Sequence, residues 1–172
     1  ACAPPPVLPE PAPSFEEKTA WILRLEDQRL LRDPVLKLGL VQSSEDKTGV
    51  LDVLPPAVPD LTQLLDDSSV LVRRRAALGI GRVRSAEGVE PLVRVLSDPV
   101  AQVRQMSAFA LGLLGDSTAV EPLVQALLDP SPIVQGRAAE ALGLIGDPSA
   151  AEAVGNMVAS HVTAAFDIAP ED

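Results

Sequence analysis

From residue 61 onward the sequence says nearly the same thing three times without slipping register. Val72, Val103 and Val134 recur every 31 residues, and so do Ile80, Leu111 and Leu142, and Gly81, Gly112 and Gly143. A fixed period of about 20–50 residues marks a solenoid, in which each unit buries its apolar face against its neighbours alone. A chain with such a period is committed to a stack of units rather than to one closed core.

The pattern inside each repeat gives two helices. The first carries Leu61, Leu64 and Leu65, then Leu92, Val95 and Leu96, then Leu123, Ala126 and Leu127, which is the i, i+3, i+4 stripe of a helix buried on one side. Asp67 and Ser68, Asp98 and Pro99, and Asp129 and Pro130 then reverse the chain. The second helix carries the 31-residue valines and the apolar residues at 80, 111 and 142, with Ala77, Ala108 and Ala139 between them. Glycines 81, 112 and 143 lie inside this helix, where each costs about 1 kcal/mol against alanine; close approach of a neighbouring helix is the expected return. Gly115 followed by Asp116, and Gly146 followed by Asp147, close one unit and open the next. The expectation for residues 60–151 is six helices in three antiparallel pairs, with Val72, Val103 and Val134 buried.

Composition agrees. The chain is 47% hydrophobic but 2% aromatic, so Ala, Leu and Val fill the interior, which suits closely spaced helices better than a β-sandwich. The fold class is therefore all-α, an α-solenoid of stacked antiparallel helix pairs. A formal charge of −10 argues against nucleic acid as the main partner. That charge is uneven: residues 70–105 hold seven arginines against Glu87, Glu90 and Asp98, whereas 106–172 hold Arg137 against nine acidic residues. No run of about 18 apolar residues occurs, and Cys2, the one cysteine, excludes an internal disulfide and a cysteine-based zinc site.

Around the repeats, residues 1–13 are a proline-rich tether. Residues 14–59 hold an N-terminal helix and an irregular connection. The helix is expected over 14–32, capped by Ser14, with Phe15 placed for a hydrophobic staple, Trp21 docking it onto the first repeat, and Asp33 and Pro34 ending it. The connection, 33–59, has Gly39, Gly49, Pro55, Pro56 and Pro59 and no sustained period. Residues 152–172 make a partial fourth repeat and an acidic tail: Val154, Met157 and Val158 answer Leu123, Ala126 and Leu127, and a second helix is missing. This terminal unit is expected to be the least stable.

The turn with Asp and Pro, the Val and Arg after it, then Ala, Leu and Gly, and the closing Gly and Asp resemble the short HEAT repeat of phycobilisome-lyase-type proteins over residues 60–151. In that family the turn Asp and the Arg six residues later form a ladder between successive repeats. The resemblance implies a ladder of Asp67, Asp98 and Asp129 with Arg73 and Arg104; Gln135 departs from it, and Arg84 and Ser85 stand where the other repeats have Gly and Asp. Ala1, Cys2 and the proline-rich tether resemble the processing site of bacterial lipoproteins, which makes Cys2 a candidate lipidation site. The chain, including residues 21–28, is also similar to bacterial envelope HEAT proteins that sometimes carry a cyclophilin-type prolyl isomerase domain.

Catalytic patterns are absent. HEAT enzymes that hold iron need repeated His and Glu pairs, and this chain has a single histidine, His161, without a neighbouring Glu. His161 reads as a polar helix residue, since a general base needs an orienting partner. No cofactor or metal is expected, and no enzyme activity. The expected function is a non-catalytic scaffold that binds a protein partner and is held in the bacterial cell envelope, lipid-anchored or periplasmic, with Arg74, Arg75, Arg82 and Arg94 as candidate contacts. The rivals are a lyase-type or chaperone-like protein acting on a chromophore or client, an accessory to a prolyl isomerase, and a cytoplasmic location. A tetrapyrrole lyase would want an aromatic-lined groove, for which three Phe and no Tyr offer little.

Overall fold

Ser14 caps the first helix. In the computed structural model, residues 12–32 and 60–167 are described, with side chains to residue 164. Cys2 and most of the tether, the connection 33–59 and the acidic tail from 168 lie outside them. The described residues form helices α1 (Phe15–Asp27), α2 (Val70–Val83), α3 (Val89–Val95), α4 (Ala101–Leu114), α5 (Val120–Ala126), α6 (Pro132–Ile145) and α7 (Ala151–Asp167), and no strand. No helix among them is long and apolar enough to cross a membrane.

The second and third repeats each place a short first helix, A, against a long second helix, B. The A helices are α3 and α5; α2, α4 and α6 are the B helices and stack on one another, α2 on α4 and α4 on α6. Val72, Val103 and Val134 are buried, as are Leu61, Leu92 and Leu123 and the row Ile80, Leu111 and Leu142. Ser107 stands in this core where Ala76 and Ala138 stand in the flanking repeats, and its hydroxyl donates to the Leu92 carbonyl. The B helices end on a left-handed residue, Gly115 at φ 70° and Gly146 at φ 75°, where glycine carries no Cβ penalty. Asp116 and Asp147 then accept the amides of Thr118 and Ser149 and shape the 3-10 turn that opens the next unit.

The first repeat departs from the expected helix pair. Its A element is one 3-10 turn, Gln63–Asp66, so residues 60–151 hold five α-helices and not six. The Asp60 carboxylate accepts the Gln63 amide at 2.8 Å and the Thr62 hydroxyl at the start of this turn.

Helix α1 is the B helix of a degenerate preceding unit. Ser14 and Ser69 occupy the same N-cap position, and Arg29 (φ 55°) and Arg84 (φ 59°) the same left-handed closing position, both pairs 55 residues apart. α1 packs on α2 as α2 packs on α4. The excess over the 31-residue period is taken up by the connection, whose two ends are joined: the Leu61 amide donates to the Leu31 carbonyl at 2.9 Å, and Arg32 pairs with Asp60.

Three expectations about α1 change. The helix ends at Asp27 and not at Arg32, because Arg29 takes the left-handed conformation that closes a B helix. Ile22 and Leu25, both buried, dock it, while Trp21 stays half-buried. Ser14 and Glu17 form a capping box, which makes Phe15 the first helical residue, half exposed, and not the residue before the cap that a staple requires.

The fourth unit also differs. α7 runs 17 residues where α3 and α5 run seven. Ser160 and His161 replace the Asp and Pro of the reversal, so nothing breaks the helix. Val154 and Met157 pack on the core, whereas Val158 is exposed.

Candidate protein-binding groove beside the arginine ladder

Along one edge of the stack runs a row of bidentate ion pairs. Arg73 donates through Nε and Nη2 to Asp98 at 2.7 and 3.1 Å, and Arg104 donates in the same way to Asp129 at 2.7 and 2.8 Å. Each arginine also reaches back six residues, Arg73 to the Asp67 carbonyl and Arg104 to the Asp98 carbonyl, both at 2.9 Å. Each aspartate meanwhile accepts the amide two residues on, which fixes the reversal: Ser69, Val100 and Ser131 donate to Asp67, Asp98 and Asp129. One side chain thus ties its own turn to the next repeat. The side chains are only 8–13% exposed, so these charge-assisted forks operate largely out of water.

The electrostatics follow. Burial pushes the Asp98 carboxyl up, but the Arg73 hydrogen bond, the Val100 amide and the charges of Arg73 and Arg104 together hold it below its ordinary value. Asp67 is held down in the same way against burial by Lys18, the Ser69 amide and the charges of Lys18 and Arg73. At Asp129 the Arg104 hydrogen bond is the largest influence and outweighs burial, with the Ser131 amide adding to it. Arg73 and Arg104 are raised, chiefly by hydrogen bonds to Asp98 and Asp129.

Both ends of the ladder are finished differently. At the first, Lys18 of α1 donates to Asp67 at 2.6 Å and supplies the cation of the degenerate unit. At the last, Gln135 keeps the backward reach, its Nε2 donating to the Asp129 carbonyl at 2.6 Å, while its Oε1 pairs with His161 Nε2. The arginine and its aspartate are replaced together, since position 160, 31 residues after Asp129, is serine. His161 thus meets Gln135 where a further arginine fork would stand.

Beside the first rungs, α1, α2 and α4 enclose an open groove of about 340 Å³ lined by Phe15, Thr19, Leu71, Arg74, Arg75, Leu78 and Met106. Phe15 and Leu71 are 50% and 57% exposed, and both line this groove. Arg75 is exposed and Arg74 half-buried, and the Nε of Arg74 is buried without a hydrogen-bond partner. Neither guanidinium has an acidic partner among the described residues.

The four candidate arginines are thus separated. Arg74 and Arg75 lie together in the groove. Arg82, further along α2, is paired with Glu26 of α1. Arg94 is exposed in the last turn of α3, an A helix, away from the groove lining. Sequence reasoning missed Lys18, Phe15 and Leu71. The signal was a 55-residue offset between 14–29 and 69–84, which a search at the 31-residue period passes over.

Stacked short helix pairs, a 31-residue period and an Asp and Arg ladder at the reversals describe one repeat class, and the sequence profile described as HEAT repeats matches residues 58–108 and 90–163. The chain is a HEAT-repeat protein. The two matched spans overlap and together cover the repeats and most of α7, leaving α1 outside although it occupies a B-helix position. No curated protein matches the chain. HEAT repeats generally form helical scaffolds that mediate protein–protein interaction, and the array described here presents its repeat surfaces in that manner.

Proposed function

We propose that this HEAT array is a non-catalytic scaffold that takes a protein partner in the groove between α1, α2 and α4, with Arg74 and Arg75 as the charged contacts. One observation carries the reading. In a chain of net charge −10, these two arginines flank exposed Phe15 and Leu71 and have no acidic partner among the described residues, whereas Arg73, Arg82, Arg104 and Arg137 are all paired. Apolar floor beside unpaired guanidinium is the composition of a recognition surface, because arginine and large apolar side chains supply most interface energy. Arg82 and Arg94 contribute to the positive field of residues 70–105 rather than to the groove.

The scaffold is held in the bacterial cell envelope through Cys2, by lipid attached to its thiol. Ala1 before the cysteine and the proline-rich stretch after it support this, since such a stretch holds a domain off a surface.

The test uses the chain as bait on the envelope fraction of the source cells, wild type beside Arg74→Glu with Arg75→Glu. The expected result is a specific partner retained by the wild type and lost by the reversed variant at an unchanged melting temperature. Capture of the same partners by both would place the binding surface elsewhere. For the anchor, Cys2→Ser in the protein expressed from its own gene should move it from the membrane to the soluble fraction; unchanged membrane partition would remove the lipid.

A further inference from the structure

The groove dictates the chemistry of its occupant. Phe15, Leu71, Leu78 and Met106 offer an apolar floor, and Arg74 and Arg75 stand over it without an acidic partner among the described residues. The buried Nε of Arg74 is a donor that lacks an acceptor among the described residues. About 340 Å³ holds two or three side chains of an extended segment rather than a folded domain. What fits is a short peptide with large apolar residues next to carboxylates and no positive charge.

One stretch outside the repeats has that composition. Residues 166–172 read Phe166, Asp167, Ile168, Ala169, Pro170, Glu171 and Asp172, two large apolar residues and three acids without a base. The other two stretches do not: residues 1–13 have Glu10 as their one acid, and residues 33–59 mix Lys37 and Lys47 with their acids. α7, whose last turn ends on Phe166 and Asp167, packs on the core through Ala153 and Met157 and pairs with Gln135 of α6 through His161, at the far end of the stack from the groove.

We propose that residues 166–172 of a second copy occupy the groove, with Phe166 and Ile168 on the apolar floor and the carboxylates at Arg74 and Arg75. The proposal rests on the groove being the recognition surface. It joins two different surfaces, the basic first repeat of one copy to the acidic end of another. Such a heterologous contact adds copies in series and does not stop at a symmetric dimer. The uneven charge of the chain, positive over 70–105 and negative beyond, favours that head-to-tail approach and opposes head-to-head encounter.

The probe is a labelled peptide of residues 162–172, amidated at its end, titrated with the full chain at low salt and read by fluorescence anisotropy. Saturable binding with Kd on the order of 10–100 μM is expected for so small a contact. Arg74→Glu with Arg75→Glu should weaken it by about tenfold or more, as should raising the salt. Because Arg74 is half-buried, Arg75→Glu alone is measured beside it, on an exposed residue whose change leaves the fold intact. Sedimentation of the full chain should show mass rising with concentration, abolished by deletion of 166–172. Absence of peptide binding up to about 1 mM, equal binding by the reversed variants, or self-association that survives the deletion would each overturn the proposal. If the peptide fails while charge reversal still loses the captured partner, the scaffold reading stands and self-occupancy falls. If the peptide binds but partner capture ignores the arginines, the head-to-tail contact stands and the scaffold reading falls.

Discussion

A β-carbon added to Gly81 would stand 2.8 Å from the Cα of Ala110, because the B helices of the first two repeats touch backbone to backbone at that point. Gly112 meets Ala141 at the same 2.8 Å, one repeat on. Gly143 occupies the equivalent position in the third repeat, yet nothing lies within 4 Å of where its β-carbon would be. The sequence pattern treats the three glycines alike, and the structure separates them, because close approach requires a following B helix.

Opposite signs therefore follow from one substitution. Gly81→Ala and Gly112→Ala should destabilise by about 1–3 kcal/mol through overpacking against backbone that cannot yield. Gly143→Ala should stabilise by about 0.5–1 kcal/mol through helix propensity. Thermal melts of the three single variants decide it, and a common sign for all three would mean that the stacking distance plays no part.

A second contrast sits at the helix ends. Arg84 adopts φ 59° where Gly115 and Gly146 close the later repeats, and Ser85 makes no capping bond where Asp116 and Asp147 do. A side chain in the left-handed region costs roughly 1 kcal/mol, and a missing cap about as much. Arg84→Gly with Ser85→Asp should raise stability by about 1–2 kcal/mol. A fall in denaturation midpoint would show that Arg84 has a compensating role that its lack of a partner among the described residues does not reveal.

The stacking was legible because its information is periodic: the 31-residue valines fixed the B helices, and the family resemblance pointed to Arg73 and Arg104 as ladder residues. What escaped depends on distance along the chain without periodicity. Lys18 completes Asp67 across the connection, and Phe15 joins Leu71 in one groove, because α1 stacks at an offset that no repeat shares. The short A element of the first repeat was hidden as well. Leu61, Leu64 and Leu65 keep the apolar stripe of a helix, although residues 63–66 form a 3-10 turn whose first amide bonds to Asp60.

The pinned ends of the connection give another expectation. Leu31 and Leu61 share a backbone hydrogen bond at 2.9 Å, and Arg32 lies 2.9 Å from Asp60, so residues 33–59 leave and rejoin the stack at one point. Loop-closure entropy grows only with the logarithm of length, each doubling costing about 0.6 kcal/mol. Replacing residues 34–58 by a short Gly and Ser linker should leave the helical circular dichroism of the array and its melting temperature almost unchanged. A marked fall in the melting temperature of the shortened chain would mean that the connection supplies part of the core.

The ladder should announce itself through pH. Asp67, Asp98 and Asp129 have folded-state carboxyl values held below the ordinary 3.8, so the stabilisation they contribute is complete above that value and is lost as pH falls through the lower folded one. Arg104→Met removes one fork and leaves Asp129 largely buried without its cation, for an expected cost of about 1.5–3 kcal/mol near neutrality. In the variant, burial favours the protonated form of Asp129, so acid relieves the defect. The stability gap to wild type should accordingly narrow between about pH 5 and pH 3, a window below the ordinary histidine range. Gln135→Leu is the control, because the two bonds it removes, from Nε2 to the Asp129 carbonyl and between Oε1 and His161, leave the Arg104 and Asp129 fork in place. Its gap of about 1 kcal/mol should hold steady across the same window. Denaturant melts at several pH values read both gaps directly. If the Arg104→Met gap stays constant while the Gln135→Leu gap also stays constant, the forks contribute shape to the turns and no net charge stabilisation between repeats.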